Sequence, residues 1–156
     1  MIRLQEAPFD VGVELAALTR GRSDIGAVAS FQGLVRDVAG HQTITAMTLE
    51  HYPGMTERKL AEIEAEANAR WPLQASLIVH RYGRMLPGEP IVLVATASPH
   101  RTAALEACAV LIDWLKTKAP FWKLEDKASG SAWVEARADD DTAAARWAEG
   151  EPDAAE

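Results

Sequence analysis

The segment PHRTAALEACAVLIDWLKTKAPFWKLEDK, residues 99–127, decides the fold. Over residues 99–119 apolar side chains recur at helical spacing, which puts Leu105, Cys108, Leu111 or Ile112, and Leu115 on an expected core face. Pro120 stops the helix, and beyond it the chain alternates as a strand does. Phe121, Lys123 and Glu125 share one face there, and Trp122, Leu124 and Asp126 share the other. A long helix therefore bends directly into a strand, with three lysines gathered around the bend.

Upstream, IRLQEAPF reads as an edge strand ended by Pro8. DVGVELAALTRG reads as a short helix capped by Asp10, with Gly21 at its far end. IGAVASFQGLV (25–35) is rich in strand formers and carries Gly33, a place for a bulge or a close chain approach. ITAMTLEHY (44–52) alternates, and the loop between these two segments suggests a hairpin. After PGM turns the chain, TERKLAEIEAEANARW sets Leu60, Ile63 and Ala67 on one face of a surface helix. QASLIVHRYG and PIVLVATAS read as strands around the MLPGE turn, and SAWVEAR forms a last pair with PFWKLEDK. This order predicts an α+β domain with two long helices laid on a mixed sheet.

A chain of 156 residues with 48% hydrophobic residues forms one domain with a sizeable core. The expected domain covers residues 1–137 and is followed by an acidic, alanine-rich tail, 138–156. The tail carries seven acids against Arg146, so it supplies most of the net charge of −7. It is poor in large apolar residues and is expected to fray or to be disordered, with Trp147 as the exception. The body is nearly neutral, so basic clusters on it can attract anions. A single cysteine, Cys108, excludes an internal disulfide framework and a four-cysteine zinc site, and its helical spacing marks it as core. There is no membrane-span pattern and no signal-peptide pattern, which implies a soluble, cytoplasmic protein. With pI about 5.1 and no basic stripe, nucleic acid is a poor partner.

Three places carry candidate chemistry. In SPHR, Ser98 suits an N-cap and Pro99 the first helical position, yet Arg101 and His100 stand where helix starts favour acids. Either Arg101 points into solvent, or free N–H groups, a guanidinium and an imidazole together await an anion. Lys116 and Lys118 are both explained by the negative end of a helix dipole, whereas Lys123 is not. It is either an exposed lysine, a partner of Glu125, or a group aimed into a pocket walled by Phe121. Arg36, opening a loop in FQGLVRD, is by itself a solvated arginine.

In this order and spacing, FQGLVRD, LEHYPGM, PHR and LKTKAPFWKLE resemble the large, catalytic subunit of molybdopterin synthase, the MoaE family, from about Phe9 to Trp147. The resemblance implies a two-layer α+β fold of hammerhead type with a small extra β subdomain. It implies a homodimer that binds a small ubiquitin-like sulfur carrier ending in Gly-Gly, giving a heterotetramer. The carrier's C-terminal thiocarboxylate would give sulfur to cyclic pyranopterin monophosphate, forming the dithiolene of molybdopterin, with no metal or other cofactor required. Matched by motif, Lys116 and Lys123 fall on the family's two essential lysines. Arg36, His100 and Arg101 fall on its substrate-side basic residues, and Phe31, Glu125 and Arg137 on pocket or supporting positions. Ile112 stands where some relatives have Met, and Lys118 where some have Arg.

Both implied reactants are anionic, so positive charge is needed to bring them together and to stabilise charge that develops in transfer. Lys116 is expected at the thiocarboxylate and the reacting carbon. Lys123, crowded by Lys116 and partly desolvated, would give up its proton more readily and serve as acid or base. Along one helix Arg101 and Lys116 lie about 22 Å apart at ~1.5 Å per residue, which predicts sites shared between protomers. The competing expectation is a non-catalytic interaction module that binds a partner's tail, or an anion, through the same basic groove.

Overall fold

The computed structural model describes residues 1–134 and 138–148. In chain order the elements are β1 (Ile2–Gln5), α1 (Val11–Thr19), β2 (Ala27–Leu34), β3 (Val38–Ala39), β4 (Gln42–His51) and α2 (Met55–Arg70). They continue with β5 (Ala75–Arg81), β6 (Gly83–Met85), β7 (Pro90–Ser98), α3 (Arg101–Lys118), β8 (Phe121–Lys127), β9 (Gly130–Val134) and α4 (Ala138–Ala145). One sheet has the order β1-β5-β7-β2, and it is mixed because β1 runs parallel to β5. The second has the order β3-β4-β8-β9, with β6 also paired to β4. This is the α+β architecture expected, with a separate smaller β unit.

Helices α2 and α3 cover one face of the first sheet. The stripe Leu60, Ile63 and Ala67 of α2 is buried as its spacing requires, together with Ile78 and Val94 from the sheet. On α3 the buried stripe is built largely of small residues, Ala103, Ala104, Ala107 and Cys108, followed by Leu111, Trp114 and Leu115. These let the helix lie close on β2 and β7. Leu105, expected in the core, is instead 61% exposed, because α3 lies at the sheet's β2 edge and turns that residue outward. Helix α1, capped by the Asp10 carboxylate on Val13 N, packs Val11, Leu15 and Leu18 on the opposite face of the sheet.

The hairpin expected between residues 25–35 and 44–52 does not form. Strand β2 pairs with β7, and β4 pairs with β8. Gly33 lets β2 lie close on β7, since a Cβ there would sit 2.8 Å from Val92 Cγ1 and that side chain would have to shift. The register shifts at Gly33/Leu34, the bulge that a strand glycine suggests. The chain then leaves the first sheet and enters the second through the short β3–β4 ladder. Of the acidic tail, Ala138–Ala145 is helical and packs along α3, and Trp147 makes an edge contact with Trp71. No helix among the described residues is long and apolar enough to cross a membrane.

Candidate active site

The bend between α3 and β8 is fixed from a distance in sequence. Thr56, fully buried in the first turn of α2, donates its hydroxyl to the Pro120 carbonyl at 3.2 Å. The Thr56 hydroxyl oxygen in turn accepts from Tyr52 N at 3.0 Å. The YPGMT turn and the AP link are therefore one hydrogen-bonded unit. Gly54, at φ +81, makes the turn possible, and the Glu57 carboxylate closes it by accepting from Gly54 N at 2.6 Å. Thr56 is a site-shaping residue that the periodicity of α2 does not reveal, because a buried threonine at a helix start looks like ordinary capping.

Around this bend the lysines separate by role. The Lys118 ammonium lies 3.9 Å over the Trp114 ring and 3.7 Å from Glu66, so packing and an ion pair account for it. Lys116 lies half exposed, its Nζ 3.5 Å from Asp140 of α4. On β8, Phe121 stacks on the His80 ring at 3.9 Å between centroids. Burial pushes the His80 imidazole down to about 4, and its Nδ1–H donates to the Arg81 carbonyl. Lys123 stands between Leu49 of β4 and Val134 of β9, 3.8 Å from Glu125. Glu125 is only 6% exposed, and its other oxygen is 3.5 Å from Lys127. Of the readings open for Lys123, the pairing with Glu125 is thus realised.

Arg36 opens the loop after β2, exposed in a cavity of about 710 Å³ with Val35, Asp37, Val38, Gly40, Pro87 and Gly88. Because α3 runs parallel to β2, Arg36 lies toward the Lys116 end of the helix. His100 and Arg101 lie at the opposite end, both exposed. Ser98 is not the cap expected. It closes β7, donates to the Pro72 carbonyl at 3.1 Å and accepts from His100 N, and His100 takes the N-cap position with no side-chain cap bond. Gly26 N donates to the Ser98 carbonyl there, and a Cβ at Gly26 would fall 2.2 Å from the Pro99 carbonyl oxygen, so only glycine fits. Among the described residues no side-chain cap bond closes the first turn of α3, whose backbone donors stand beside an arginine and a histidine.

Phe31 lies on β2, the edge strand of the first sheet, and is 39% exposed. With Val28, Leu105, Cys108 and Ile112 it lines a groove of about 540 Å³ between β2 and α3. Cys108 there is buried, and burial pushes its thiol up to about 11, consistent with a packing role. Arg137 lies outside the described residues. Within one chain, then, Lys116, Lys123, Glu125 and Arg36 share one end of the domain, while His100 and Arg101 occupy the other.

Comparisons with known proteins place the chain in a family. The family model described as MoaE protein matches residues 4–118. A Pseudomonas aeruginosa protein named molybdopterin synthase catalytic subunit is 55% identical over 148 residues, covering 95% of this chain and 99% of that one. A Mesorhizobium japonicum protein of the same name is 54% identical, covering 94% and 92%. The solved structure of a molybdopterin biosynthesis MoaE protein from Burkholderia ambifaria superposes with TM-score 0.82 at 50% identity, covering 96% of this chain and 99% of that chain. The family match ends where α3 does, and the near-full-length relatives extend it across the lysine-bearing strand: this chain belongs to the MoaE protein family.

Proposed function

We propose that this protein is the catalytic subunit of a molybdopterin synthase and acts in the cytoplasm as a sulfurtransferase. It takes sulfur from the thiocarboxylated C-terminus of a small ubiquitin-like carrier and places it on cyclic pyranopterin monophosphate. Two such transfers form the dithiolene. The observation that carries this is the hydrogen-bonded bend that fixes Lys116 at the end of α3 and Lys123 on β8, with the buried Glu125 beside it. Lys116 meets the carrier's thiocarboxylate and the charge that develops on the reacting centre. Lys123, held by Glu125, handles the proton. Arg36, His100 and Arg101 hold the phosphate and orient the pterin. The protein's own part needs no nucleophile, since sulfur arrives activated on the partner.

The active unit is a homodimer that binds two carriers, a heterotetramer. Its support is the apolar edge of β2, unpaired among the described residues, where Val28, Phe31 and Leu34 are all exposed. An edge of this kind is normally covered. A second copy pairing antiparallel to β2 about a two-fold axis would bring Arg101 of the partner subunit toward Lys116 and Arg36. That resolves the separation of the two ends of α3. The deciding experiment supplies thiocarboxylated carrier and cyclic pyranopterin monophosphate and assays dithiolene formation. Product formed in proportion to enzyme is expected, and no product with a competent carrier sinks the assignment. A non-catalytic module binding the same tail would bind carrier but form none.

A further inference from the structure

We propose that Lys127 is a positioning residue for this site: by sharing the Glu125 carboxylate it loosens that carboxylate's hold on Lys123 and keeps the Lys123 ammonium able to exchange its proton. The inference rests on the sulfur-transfer reading above and adds a residue to it. Lys123, Glu125 and Lys127 are alternate residues of β8 and so project from one face. Glu125 is nearly inaccessible, with Oε1 3.8 Å from Lys123 and Oε2 3.5 Å from Lys127. The Lys127 side chain is itself only 18% exposed, unlike a solvated surface lysine.

Among the described residues, the strand partners beside these three carry no charge. Met47 and Leu49 of β4 stand opposite Glu125 and Lys123, and Ala132 and Val134 of β9 stand on the other side. Opposite Lys127 are Ile44 and Gly130. A lone buried carboxylate beside one lysine favours the charged ammonium and resists its deprotonation. A second lysine on the other oxygen acts in the reverse direction twice, by drawing on the same negative charge and by repelling the first ammonium. Lys127 therefore adjusts Lys123 through Glu125 without touching substrate.

The test uses the full-length protein with 13C-methylated lysines, the Lys123 resonance being identified by its loss in Lys123→Arg. In Lys127→Met the Lys123 midpoint should rise by about one pH unit, and adding Glu125→Gln should bring it back down. Lys127→Arg, which keeps the charge, should titrate as the wild type. An unchanged Lys123 midpoint in Lys127→Met overturns the proposal. In the dithiolene assay at neutral pH, Lys127→Met should lower kcat about tenfold with KM little changed, and Lys127→Arg should stay within about twofold of wild type. An equal loss in Lys127→Arg marks a merely structural lysine and also overturns it. Wild-type protein that makes no dithiolene while the titration coupling holds counts against sulfur transfer and supports the division of Glu125.

Discussion

The Thr56 hydroxyl donates to the Pro120 carbonyl at 3.2 Å, joining the start of α2 to the bend that carries the two lysines, 64 residues away in sequence. Thr56→Val keeps the side-chain shape and removes this bond, leaving Pro120 O and Tyr52 N without their partner. The expected cost is about 1–3 kcal/mol in a denaturant titration, with Thr56→Ser close to wild type. Dithiolene formation should fall further than the stability loss alone explains, because Lys116 and Lys123 are placed by the bend.

Lys116→Ala and Lys123→Ala should each reduce dithiolene formation by about 10²-fold or more, while carrier binding measured by calorimetry stays within a few-fold. Lys118→Gln serves as the contrast. Its ammonium is occupied by Trp114 and Glu66, so activity should hold and stability should drop by about 0.5–1 kcal/mol. If Lys118→Gln were as inactive as Lys116→Ala, the separation of roles would be wrong.

Homodimers of Lys116→Ala and of Arg101→Ala, each inactive, should regain activity on mixing once subunits exchange. Random exchange makes half the dimers mixed, each with one intact site, so recovery should approach roughly a quarter of wild type. Native mass spectrometry verifies the exchange. Exchange without recovery would place each site within one chain and leave the function of the α3 start open.

His80 gives a pH signature in stability. Its folded pKa is about 4, below the ordinary value of 6.5, because it is buried neutral against Phe121. The unfolded chain therefore binds the proton first as pH falls. The stabilising contribution is complete above about pH 6.5 and is lost progressively toward pH 4, by on the order of 3 kcal/mol. Chemical denaturation at pH 7.5 and pH 4.5 should show this loss in the wild type and a smaller one in His80→Phe.

Much of the molecule was legible in local pattern. The α2 stripe, the length of α3, the alternation of β8, the Asp10 cap and the Gly33 bulge all follow from spacings of two to four residues or from one residue's stereochemistry. Leu105 shows where such reasoning stops. Periodicity marks which residues share a helix face but not how far a neighbouring sheet extends, and α3 lies at that sheet's edge. The expected hairpin failed for a similar reason, since alternation says that a strand exists and is silent about its partner.

By itself the sequence determined that lysines 116, 118 and 123 bracket a helix-to-strand bend, because Pro120 and the two periodicities act over a few residues. It also set Arg101 and Lys116 a full helix apart, which is simple arithmetic of rise per residue. Only the tertiary structure showed what each of these side chains contacts. Lys118 is occupied by an aromatic ring from its own helix and an acid from α2, while Lys123 shares a buried carboxylate with Lys127. It also decided that Thr56 locks the bend and that Phe31 lies on an open strand edge. Those facts depend on burial and pairing between distant segments, which free energy settles across the whole fold and no local spacing encodes.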